Sequence, residues 1–172
     1  YIPDRRKEGY GLNKKAIKWL QKKQVSLIIT VDCGISNVDE VNYTKKLGME
    51  IIITDHHYCP DILPRSFSIV NPKQKDDKYP FKELAAVGIV FKLVQALEIS
   101  SDTELEPSFE KRFLDLVAIG TVADVAEILG ENRTLVRYGL EILKKSERLG
   151  IQKLIQLSRI EPKNLSSYSI GY

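Results

Sequence analysis

Three groups of residues in this chain have the types and spacing to do chemistry. Asp55-His56-His57 sets a carboxylate beside both of the chain's histidines, directly after the β-branched run Ile51-Ile52-Ile53-Thr54. Asp32 stands in the same way after Leu27-Ile28-Ile29-Thr30-Val31, and is followed by Cys33 and Gly34. Asp124 closes the long apolar stretch that begins at Phe113. Carboxylates and imidazoles brought to one place can hold a divalent cation or trade protons as acid and base. Paired histidines on a loop are also common as exposed or hydrogen-bonded structural residues, so everything turns on whether the groups converge.

The elements that must position them can be read from periodicity. An unbroken β-branched run reads as a strand buried on both faces, and two such strands end at Asp32 and Asp55. Between them a helix capped by Ser36 or Asn37 runs to about Leu47 and is closed by Gly48. Strand, helix and strand make a βαβ unit with parallel strands, so both aspartates leave the same edge of the sheet, where α/β folds collect ligands. Gly34 permits an unusual backbone turn after Asp32. A third short strand, Phe67-Ser68-Ile69-Val70, ends at Asn71-Pro72, and upstream Asn13 caps a helix through about Lys23.

From about Lys82 the character becomes helical. Leu84, Val87, Ile89, Val90, Leu93, Val94 and Leu97 predict a helix buried along much of its girth. An acidic connection, Ser100 to Pro107, precedes an apolar helical stretch from Phe109 to Ala126. An aspartate ending so apolar a run needs a partner or a cation, because a lone buried carboxylate is costly, and this makes Asp124 a third candidate ligand. Asn132 begins a further helix to about Lys145, a short one follows from Leu149 to Leu157, and Pro162 to Tyr172 reads as a linker. The expected fold class is α/β: an open, mainly parallel sheet flanked by helices, with a helical C-terminal half.

Bulk properties narrow the class without naming a partner. At 172 residues, 43% hydrophobic and 28% charged, the chain is expected to be one globular domain. No run approaches the roughly 18 apolar residues of a membrane span, and no apolar core follows the opening charges, so a cytoplasmic protein away from membranes is expected. Cys33 and Cys59 stand outside any Cys-x-x-Cys pair and are read as reduced thiols rather than zinc ligands. A net charge of +3 is too small to announce nucleic-acid binding by itself. The lysine-rich stretch Lys73 to Lys78 reads as a solvated loop. The chain opens in a loop without a methionine, which suggests an excised fragment.

Taken in order, Val31-Asp32-Cys33-Gly34, Asp55-His56-His57 and Gly120-Thr121-Val122-Ala123-Asp124 resemble motifs two, three and four of the DHH phosphoesterase family. Within it the likeness is to the RecJ-type single-strand-specific exonucleases of DNA repair and recombination. Arg5, Glu8-Gly9-Tyr10-Gly11-Leu12, Val70-Asn71-Pro72 and Gly130-Glu131-Asn132-Arg133 extend it over nearly the whole chain.

The resemblance implies a Rossmann-like sheet with two divalent ions, manganese or magnesium, at its carboxyl edge, hydrolysing phosphodiesters from a five-prime end. It implies Asp32 as the carboxylate bridging both ions, and His56 and Asp124 as ligands of one. Asp55 and His57 would stand behind the ligands or face the phosphate as catalytic residues, His57 as a hydrogen-bond or proton donor. Carboxylates with an imidazole suit manganese better than zinc. Single-stranded DNA is the implied substrate, with repair-complex proteins as possible partners. Arg5, Lys73 and Arg133 are the cations nearest the proposed edge, and Tyr10 or Tyr58 could stack on bases. Ala126-Glu127 departs from the family, which often has an apolar residue and proline there.

The family's first, aspartate-rich motif has no counterpart, so residues 1–160 are expected to be a partial catalytic domain and 161–172 a linker toward a further domain. Such a fragment is expected to be inactive alone. Two other readings remain open: a family phosphatase or phosphodiesterase for small nucleotides, and a non-catalytic scaffold.

Overall fold

A computed structural model describes residues 1–102, 106 and 108–171, and the chain divides into two compact units, Tyr1–Lys82 and Glu83–Tyr172. The first unit runs α1 (Lys14–Lys22), β1 (Leu27–Val31), α2 (Val38–Lys46), β2 (Glu50–Thr54) and β3 (Ser68–Val70). Its strands form one parallel sheet in the order β1-β2-β3. Asn13 caps α1 as expected, its side chain accepting from Ala16 N at 2.7 Å. Ile17, Ile28, Val41, Met49, Ile51 and Ile53 form the core between helices and sheet. Each such side chain removed from water stabilises the unit by about 1.5–3 kcal/mol.

β1 differs from its expected burial on both faces. Ile28 and Thr30 are buried, whereas Leu27, Ile29 and Val31 are about half exposed. The exposure alternates along the strand, so one face of β1 packs on the core and the other is left largely uncovered; among the described residues β1 is also the edge of the sheet, paired with β2. A continuous apolar run does not reveal how many layers cover it.

The second unit comprises α3 (Ala86–Ser100), a 3-10 turn (Phe109–Phe113), α4 (Leu114–Ala123), α5 (Gly130–Leu143), α6 (Leu149–Ser158), a second 3-10 turn (Pro162–Asn164) and α7 (Ser167–Gly171). Of the acidic connection, Thr103, Glu104, Leu105 and Pro107 lie outside the described residues, as does Tyr172. α4 ends three residues before the expected Ala126, because Val125 adopts a left-handed φ of 57° and Ala126 N–H turns back to Thr121 O at 3.3 Å.

Asn132 does not start α5 but sits inside its first turn, fully buried. Its Oδ1 accepts from Ala85 N at 3.1 Å, while its Nδ2 donates to Glu83 O at 2.7 Å and Glu127 O at 3.0 Å. One amide thereby satisfies backbone groups at the start of α3 and in the loop after α4. The segment after residue 160 carries structure of its own, with Leu165 buried beside Leu143 and Ile151, and Ile170 packed against them.

α4 and α5 touch backbone to backbone. A Cβ on Gly139 would lie 2.2 Å from Leu114 O and 2.6 Å from Ala118 Cβ, with no flexible side chain to yield. Gly139→Ala is therefore expected to destabilise the second unit by about 1–3 kcal/mol, as overpacking of a tight interior does. Urea unfolding followed by circular dichroism checks this; a midpoint unchanged from the parent would refute the close approach.

Candidate metal centre

Parallel pairing levels the strand ends. Val31 is in register with Thr54, and Thr54 with Val70, so Asp32, Asp55 and Asn71 each follow at the same height. The ladder extends one residue further through Asp32 N to Thr54 O at 3.0 Å and Asp55 N to Val70 O at 3.1 Å. Register alone thus delivers two carboxylates and an amide to one edge of the sheet.

Asp55 is turned inward and 1% exposed. Its Oδ1 accepts from His56 N at 2.8 Å, His57 N at 3.2 Å and His57 Nδ1 at 2.6 Å, and its Oδ2 from Ile35 N at 2.9 Å. It therefore fixes the backbone of both histidines and the ring of one. With Nδ1–H donating to this carboxylate, the His57 nitrogen that carries a lone pair is Nε2, the arrangement usual behind a metal-ligating imidazole. Asn71, also 1% exposed, donates to His57 O at 2.9 Å and accepts from Lys73 N at 2.9 Å. Sequence reasoning gave Asn71 no site role; its signal was its place level with the two aspartates.

His56 Nε2 lies 3.1 Å from Asp32 Oδ1, and the ligand atoms of Asp32, His56 and His57 lie within 4.8 Å of one another. Neighbouring ligands of an octahedral ion with bonds of about 2.1 Å stand about 3 Å apart. One carboxylate and two imidazoles at this spacing therefore fit a divalent metal ion; without a thiolate among them the set is not that of a structural zinc site, although the same donors serve catalytic zinc. Gly34 makes the turn beneath them at a φ of 113°, and an added Cβ would lie 3.0 Å from Thr30 Oγ1 and 3.3 Å from Ile53 Cγ2. Burial pushes the neighbouring Cys33 thiol up to about 11, with the Asp55 and Asp32 charges adding to the effect. Cys59 is raised in the same way, by burial and then Asp55, with Lys73 opposing.

Two of the three expected phosphate-binding cations are in this unit and cover aromatic rings. Arg5 Cζ stands 5.4 Å from the centre of the Tyr10 ring, and Lys73 Nζ stands 4.4 Å from that of Tyr58. Arg133 is exposed on α5, in the second unit.

Asp124 also belongs to the second unit, as the residue capping the C-terminus of α4. Burial does not single it out as expected, since Asp124 is exposed at the helix end. The carboxylate buried in α4 is Asp115, 2% exposed and held by Arg148 Nε at 3.1 Å and Ser146 Oγ at 2.8 Å. Asp124 adds a carboxylate to the negative end of the α4 helix dipole.

The pattern described as DHH family, N-terminal domain, matches residues 1–121. The chain belongs to the DHH family. It is 46% identical over 172 residues to the single-stranded-DNA-specific exonuclease RecJ of Bacillus subtilis, covering 100% of this chain and 21% of that protein. A crystal structure of exonuclease RecJ bound to manganese superposes with a TM-score of 0.84 at 32% identity, over 100% of this chain and 42% of the other. RecJ from Thermus thermophilus, in complex with Mn2+, gives 0.74 at 28% identity, over 92% of this chain and 23% of the other. The α/β fold with its parallel sheet is thus a RecJ-like fold, and the chain spans about a fifth of the Bacillus relative's length. Among the described residues no helix is long and apolar enough to cross a membrane.

The raised Cys33 value predicts slow chemistry at this edge, because only the thiolate alkylates. A thiol moved from 9.0 to about 11 carries about one-hundredth of the ordinary thiolate fraction at pH 8. Iodoacetamide should modify Cys33 about a hundredfold more slowly than an unperturbed thiol, with the rate climbing up to pH 11. Peptide mass spectrometry measures it; ordinary reactivity at pH 8 would refute the buried environment.

Proposed function

We propose that this chain is part of the catalytic region of a metal-dependent phosphodiesterase of the RecJ type. The whole protein would remove nucleotides from single-stranded DNA from a five-prime end, in the cytoplasm, in DNA repair and recombination and alongside repair-complex proteins. The observation that carries the reading is the convergence of Asp32, His56 and His57 at the carboxyl edge of a parallel sheet, in a DHH-family chain similar to manganese-bound RecJ.

Asp32 and His56 hold the metal in this reading, and Asp124 is a further carboxylate ligand. Two divalent ions, manganese or magnesium, would supply Lewis-acid stabilisation of charge on the phosphate. The chain's own residues do the positioning. Asp55 orients both histidines, and His57 presents Nε2, its Nδ1–H being committed to Asp55. Placed there, Nε2 can ligate a cation through its lone pair in the neutral ring, or donate to a phosphate oxygen in the protonated ring. Arg5, Lys73 and Arg133 bind phosphates, contacts that weaken as salt rises. Residues 1–160 would be the catalytic part and 161–172 the lead toward a further domain.

Manganese titration followed by electron paramagnetic resonance tests the centre. The chain should bind Mn2+, and His56→Ala should weaken that binding at least tenfold with an unchanged circular dichroism spectrum. Binding that survives His56→Ala would remove the site assignment. In the whole protein, Asp32→Ala should lower hydrolysis of five-prime-labelled single-stranded DNA by more than a hundredfold while the fold persists. Hydrolysis of dinucleotides but not single strands would redirect the proposal to small nucleotides.

A further inference from the structure

Asp32 occupies a backbone conformation that few non-glycine residues adopt, with a φ of 63° in the left-handed region. Such a conformation persists only where its surroundings over-determine it, and it concentrates at functional sites. Two main-chain contacts hold it. Asp32 N–H donates to Thr54 O at 3.0 Å, continuing the sheet ladder. On the other side, the Asp32 carbonyl accepts the hydroxyl of Tyr10, from 22 residues earlier in the chain.

Tyr10 meets the rest of the cluster as well. Its ring stands edge-on to His57 at 5.8 Å, and the His57 ring stands edge-on to His56 at 4.6 Å. The Arg5 guanidinium covers its face, and the loop behind it is tied to the start of α2 by Leu12 N donating to Asn37 Oδ1 at 3.4 Å. Tyr10 is 54% exposed, so core burial does not account for its placement. A tyrosine serving only as a surface residue would keep its hydroxyl in water; this one spends it on the backbone of a proposed ligand.

We infer that Tyr10 is a positioning residue for the metal centre. Its hydroxyl pins the main chain of Asp32 in the left-handed conformation and its ring edge backs His57, so that carboxylate and imidazoles are set before a cation arrives. The inference rests on the metal-centre reading above and extends it to a residue that ligates nothing itself. It also separates two roles for the same side chain: stacking on a base needs the ring alone, whereas positioning needs the hydroxyl.

Tyr10→Phe isolates the hydroxyl while keeping the ring and its stacking with Arg5. Mn2+ affinity of the full chain should fall about tenfold, as when a partner supporting a ligand is removed. The electron paramagnetic resonance line shape of bound Mn2+ should broaden, and the melting temperature should stay within about 2 °C, as expected of an exposed substitution. Affinity and line shape equal to the parent, in a preparation where His56→Ala has lost binding, would overturn the inference and leave the centre standing. A lowered melting temperature with unchanged affinity would make the bond a structural one and overturn it too. Failure of the unsubstituted chain to bind Mn2+ would remove the centre and the inference together.

Discussion

The buried Asp55 carboxylate is the constraint on which the first unit's chemistry depends. A carboxylate sealed from water without donors would be strongly destabilising, and here it has four: three from the two histidines that follow it and one from Ile35, in the turn after β1. Each bond that makes its burial tolerable also fixes a piece of the candidate site. The turn after β1, which carries Asp32, and the turn after β2, which carries the histidines, are thereby tied through one side chain. Asn71 adds the third strand end by holding His57 O and Lys73 N.

Two of the five left-handed non-glycine residues among the described ones stand at or beside proposed ligands. Asp32 is itself left-handed, and in the second unit Val125, directly after Asp124, has a φ of 57° while 89% exposed. A β-branched residue has little intrinsic reason to adopt that conformation, and its side chain gains nothing from packing. The turn is kept by Ala126 N–H bonding Thr121 O and by Asn132, whose amide takes the carbonyl of Glu127. Local preference is overridden at both turns by hydrogen bonds from elsewhere in the same unit.

Much of the fold was legible because it is local. Asn13 announces α1 by the bond it makes three residues on, and the β-branched run of β2 reads correctly as a buried strand ending at its aspartate. The βαβ order was enough to place Asp32 and Asp55 on one edge. What escaped was non-local. Whether β1 is covered on its second face depends on what packs over the sheet there, not on its own residues. The apolar run containing both Asp115 and Asp124 does not say which aspartate is inside, because Asp115 is buried only by virtue of Arg148 and Ser146, far along the chain. The hydroxyl of Tyr10 and the amide of Asn132 likewise act on residues that no spacing rule connects to them. Asp32, His56 and His57 stood out in the sequence as candidate residues, with Asp124 rather than His57 expected as the third ligand; the side chains that hold them in place did not stand out.

The rim of β1 has a colloidal consequence. Leu27, Ile29 and Val31 stand half uncovered along the outermost strand of the sheet, and an apolar strand in that position is a template on which a strand from another molecule can add. Lys22 and Lys23, just ahead of it, supply the positive charge with which proteins commonly discourage such addition. Because that repulsion is screened by ions while the apolar attraction is not, solutions of this chain are held apart most effectively at low ionic strength.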